Sequence, residues 1–147
     1  MAYVVETNVE SELSVDITAT TSPTSTELTE FITQIEAEFN GVLHSIRVTV
    51  PIVKANSPIA FEIATQTALW GVCSRTLNAY GGVILDQSPK AQLYWDRYKA
   101  KLEEIKNNPD ILYDASALTS DSSLMVDGIV DGDDEYHDPA FTMVDVF

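Results

Sequence analysis

The stretch from Ser57 to Tyr80 constrains the fold more than any other part of the chain. Ser57 is placed to cap a helix, and Pro58 sits at the first helical position, where a missing N–H costs nothing. The residues that follow include Ile59, Phe61, Ile63, Ala64, Ala68, Leu69, Trp70, Val72, Cys73 and Leu77. Wound at 3.6 residues per turn, they cover nearly the whole circumference, and Gly81-Gly82 provides a stop. A helix apolar on most sides needs several neighbours to bury it. Polar residues interrupt every apolar run well short of the roughly 18–20 residues that span a bilayer, so no membrane span is expected. Ala64, Ala68 and Gly71 are small and share one side, beside Trp70, and would let another helix approach closely. These four are the candidates for packing between subunits.

Two further helices carry their own start signals. Thr24 and Glu27 have capping-box spacing, with Ser25 as an alternative cap, and Leu28, Phe31, Ile32, Ile35, Phe39 and Leu43 then recur at three and four residues. Gly41 weakens the last turn, which places the end near Asn40–Leu43. Ser88-Pro89 opens the third long helix. Its stripe is Ala91, Tyr94, Trp95, Tyr98, Leu102 and Ile105, its wet face is rich in Lys and Glu, and Asn107-Asn108-Pro109 stops it. A short helix within residues 1–13, capped by Thr7 or Asn8, precedes these three, with a candidate strand at Leu13–Ile17. The β-branched run 46–53 contains Pro51, so it reads as an extended connection or an edge strand. The expected fold is mainly α: a small bundle of one short and three longer helices over residues 1–109, with an extended acidic arm over 110–147.

The arm stands out by charge. The 147-residue chain has a formal charge of −15. Residues 1–106 hold 13 acidic and 8 basic side chains, whereas 107–147 hold 10 acidic side chains and no Lys or Arg. Such a chain is repelled by nucleic-acid phosphates and by anionic membranes. Ile111–Tyr113 and Leu124–Val130 are candidate short strands within the arm. Its last residues turn apolar, with Phe141, Met143, Val144, Val146 and Phe147. That ending reads as a docking anchor on a solvated tether, as a frayed end, or as a strand of the domain's own core.

Candidate chemistry is sparse. One cysteine excludes an internal disulfide, and one cysteine with two histidines, His44 and His137, excludes the usual structural zinc sites. The acidic run from Asp127 to Asp138 fails as an EF-hand, because Ile129 stands at position 3 and Asp138 at position 12. No phosphate-binding glycine loop, nucleophile elbow or HExxH motif occurs. The expectation is a non-enzyme with no cofactor and no metal. The start Met-Ala-Tyr-Val-Val-Glu has no basic or apolar targeting stretch, so synthesis in a cytoplasm is expected.

The order of these elements resembles a known family. A Met-Ala-Tyr-Val start leads to a short helix and then to a capped helix with Leu28-x-x-Phe31-Ile32-x-x-Ile35-Glu36. A Pro-bearing loop, a long helix opening at Ser57-Pro58 and a last amphipathic helix follow. Over residues 1–106 this is similar to the head–tail connector (adaptor) proteins of tailed bacteriophages. The resemblance implies a ring of about twelve subunits under the portal protein, joined to the next neck or tail protein, with DNA passing through unbound. It further implies a place in the virion at the head–tail junction, no catalytic residues, and a C-terminal arm gripping the portal. Two other readings compete: a stopper or tail-completion protein of the same neck, and an acidic mimic of DNA that inhibits a nucleic-acid-binding protein.

Overall fold

The computed structural model describes residues 2–80 and 89–113. Among them are four α-helices: α1 (Glu6–Leu13), α2 (Ser25–Ser45), α3 (Pro58–Tyr80) and α4 (Pro89–Asn107). A 3-10 turn, Pro109–Leu112, follows. The compact unit runs from the N-terminus to Leu112, three residues beyond the boundary that the sequence suggested. No strand occurs among the described residues, and the mainly helical bundle is as expected. The Gly81-Gly82 stop, the Ser88 cap and the Leu124–Val130 segment lie outside the described residues.

The helix α3 is the axis of this unit. It touches α1, α2, α4 and the 3-10 turn, as an all-round apolar helix requires. Two of its buried hydroxyls are satisfied close to home: Thr67 Oγ1 donates to the Ile63 carbonyl at 2.6 Å, and Thr76 Oγ1 to the Val72 carbonyl at 2.8 Å, whereas the buried Thr65 Oγ1 has no partner. Ser74 Oγ reaches across to the Ala91 carbonyl at 2.8 Å, tying α3 to α4. The amphipathic helices lay their stripes inward: Leu28, Ile32, Ile35, Phe39 and Leu43 from α2, and Ala91, Tyr94, Tyr98, Leu102 and Ile105 from α4. Phe31 and Trp95 sit at the edges of these stripes, half-buried against the core.

Local structure departs from the sequence reading at four places. Helix α1 starts one residue before Thr7, with Val5 as its cap; the Val5 N–H donates to Asn8 Oδ1 at 3.0 Å, so Asn8 acts from inside the first turn. Leu13–Ile17 is no strand, because Ser14 takes a left-handed conformation (φ 55°) and turns the chain. The Ile17 N–H is held by Glu10 Oε1 at 3.0 Å. Helix α2 runs through Gly41 to Ser45, since buried Leu43 anchors its last turn and the end is closed by a Schellman pair. There Arg47, at φ 65°, donates its N–H to the His44 carbonyl at 3.1 Å, and Val48 donates to the Leu43 carbonyl at 3.0 Å. Ile111–Tyr113 is no strand either; the 3-10 turn drives Leu112 into the core.

The N-terminal segment is bound into the bundle by polar contacts. Glu36 Oε1 on α2 accepts the backbone N–H groups of Tyr3 and of Val4, the latter at 2.9 Å. The Tyr3 hydroxyl donates to Asn40 Oδ1 at 2.8 Å and accepts the buried Ile52 N–H at 2.9 Å. The Tyr3 ring packs edge-on against Phe39 and tilted against Phe61. One side chain thus ties the chain start, α2, the 46–57 connection and α3 together. Residues 46–53 form a connection that turns at Ile46–Arg47 and bends at Val50–Pro51, without ladder pairing and less extended than the sequence suggested.

Candidate interaction surface

The reactive side chains meet in no catalytic arrangement among the described residues. His44 is exposed at the end of α2. No three of His, Cys, Asp and Glu gather in a way that would hold a metal ion among the described residues. His137 and the acidic run 127–138 lie outside them. Cys73 is fully buried, and burial, with a smaller contribution from Glu12, pushes its thiol up from 9.0 to about 12, against the pull of Lys90. At pH 8 about one thiol in ten thousand is then ionised. Ellman's reagent is therefore expected to leave the folded chain unlabelled at pH 8 and to label it fully in guanidinium. Rapid labelling without denaturant would contradict the burial. Because the unfolded thiol ionises near 9.0 and the folded one near 12, the unfolded chain loses its proton first. The stability that this group contributes is therefore intact below 9 and declines as pH rises through that window. Tyr94 is raised to about 12 in the same way, by burial and by its hydrogen bond to Glu12 at 3.0 Å.

The four residues expected to pack between subunits separate into two groups. Ala64 and Ala68 are fully buried in the core of the chain's own helical unit. Gly71 faces α2 and α4: a Cβ there would lie 3.0 Å from Ile35 and 3.2 Å from Tyr98. The small side of α3 thus receives helices of the same chain, which is the correction the structure makes. Trp70 lies on another side and remains half-exposed. The arm anchor, Phe141, Met143, Val144, Val146 and Phe147, lies outside the described residues.

Around α3 from that small side runs a partly covered stripe, with Ile59 exposed and Ile63 and Trp70 half-buried against the core. Ile59, Ile63, Gln66 and Trp70 follow one another at four, three and four residues and form one face. Ile59 is 51% exposed, comparable with Val5, Leu93 and Tyr113 elsewhere on the unit. Two open hollows lie along this face and a third lies round the helix from it, and the acidic Glu62 lines all three. One of about 370 Å³ is formed by Pro58, Ile59, Glu62 and Ile63, and one of about 350 Å³ reaches from Ile63 past Trp70 to Lys101 of α4. A third, of about 250 Å³, lies by Lys54, Phe61 and Gln66. They are too open to enclose a small ligand. The sequence shows this stripe once α3 is drawn as a wheel, because Ile59, Ile63 and Trp70 fall away from Ala64, Ala68 and Gly71.

Charge is divided between the two halves of the helical unit. Residues 1–46, which build α1 and α2, contain 8 Asp and Glu and no Lys or Arg. All 8 Lys and Arg of the chain lie between Arg47 and Lys106. Arg75 on α3 bonds Gln34 and pairs with Glu38 at 3.6 Å, joining the halves internally. The outward side of α2, opposite its buried stripe, carries Glu30, Thr33, Ala37 and Gly41, all exposed. No atom lies within 4 Å of where a Cβ on Gly41 would stand.

Compared with known protein families, with curated proteins and with solved structures, the chain matches none.

Proposed function

We propose that this chain is a ring-forming subunit of a tailed-bacteriophage head–tail connector, seated at the portal and bridging it to the next neck or tail protein. The observation that carries the reading is the architecture of α3. A single long helix, packed by its own chain on its other sides, leaves Ile59 exposed and Ile63 and Trp70 only partly covered along one face. A monomer gains nothing from exposing that stripe, whereas a ring subunit uses it. The absence of any strand among the described residues favours an adaptor over the strand-richer stopper and tail-completion proteins. The acidic balance suits a ring through which duplex DNA slides without sticking. The C-terminal arm is the second contact: its apolar end supplies modest affinity per copy, multiplied by about a dozen copies acting together.

The test is to count the chain in purified particles by quantitative mass spectrometry against the major capsid protein. About twelve copies per particle, lost together with the tail when the gene is disrupted, is the expected result. Absence from the particle would overturn the reading. Deleting residues 139–147 is expected to abolish joining of heads to tails while leaving the helical circular dichroism spectrum and melting temperature unchanged, since the compact unit ends at Leu112. Normal joining by the truncated chain would remove the arm from the mechanism.

One observation favours the other class of reading. The 8 carboxylates of residues 1–46, uninterrupted by any cation, are carried on an ordered helical pair with its turns. Mimicry of DNA needs acidic groups fixed in this way. Retention of a basic nuclease or repressor by the pure chain at physiological salt would place the inhibitor first.

A further inference from the structure

We draw no further inference here: the strongest candidate, the partly covered face of α3 along Ile59, Ile63 and Trp70 with the open hollows that Glu62 lines, carries nothing because nothing in the structure shows what covers it.

Discussion

Replacing Tyr3 by alanine is expected to lower the unfolding free energy by about 3–5 kcal/mol, the range for removing a large buried aromatic side chain. That is a large share of the roughly 5–15 kcal/mol that holds a domain folded. Tyr3 is 4% exposed although it stands almost at the start of the chain, where ends usually fray. Its ring lies 5.8 Å from that of Phe39 and 5.7 Å from that of Phe61. Its hydroxyl joins Asn40 to the backbone of Ile52. Burial raises the phenol above its ordinary 10.0; the Ile52 N–H opposes this and the Glu36 charge adds to it, so the group stays protonated across the working range of pH. Tyr3→Phe separates the two contributions. It keeps the ring contacts but leaves the buried Ile52 N–H without an acceptor, at a cost of about 1–3 kcal/mol. Urea unfolding followed by circular dichroism reads both. If Tyr3→Ala unfolds within 1 kcal/mol of wild type by the same extrapolation, the N-terminal segment is not part of the cooperative unit.

How far the sequence reveals this fold depends on whether the determining interaction is local. The starts of α2 and α3 are written in a few adjacent residues. The Thr24 cap and Glu27 form the expected box, in which the Thr24 N–H reaches Glu27 Oε2 at 2.8 Å and holds that carboxyl below its usual range. Pro58 and Pro89 begin their helices as the Ser-Pro pairs indicate. The end of α2 is not legible, because its left-handed residue is Arg47 where sequence patterns would seek glycine, and the glycine present, Gly41, is passed straight through. The short segments also mislead. Leu13–Ile17 and Ile111–Tyr113 have the apolar content of strands, but Leu13 buries itself from the end of α1, Ile17 from a loop and Leu112 from the 3-10 turn, with no strand among the described residues to pair with. The candidate surface was half visible. Periodicity identifies the small side of α3 and the partly covered stripe equally well; which of them the chain's own helices cover depends on tertiary packing, and α2 and α4 take the small side.

That choice makes Gly71→Leu the most damaging single change expected in α3. A Cβ alone at this position would come within 3.0 Å of both Cδ1 and Cγ2 of Ile35, and 3.2 Å from Cδ2 of Tyr98. Ile35 and Tyr98 are both fully buried and have no open space to retreat into. Overpacking a core by a few methylenes costs about 1–3 kcal/mol, and here the added atoms wedge apart two helix contacts at once, so a loss above about 3 kcal/mol is expected. Gly71→Ala is milder: alanine gains about 1 kcal/mol in helix propensity against the crowding, for a net loss of about 1 kcal/mol. Removing the obstacle supplies the control. In Gly71→Leu/Ile35→Ala the volume taken from α2 is returned from α3, and the double variant is expected to be more stable than Gly71→Leu alone, with a coupling of about 1–3 kcal/mol. Thermal melts of the four proteins give the cycle. Additive effects would mean that α2 and α3 do not meet at Gly71; a strong coupling places the smallest residue of α3 inside the helical unit, where α2 closes over it.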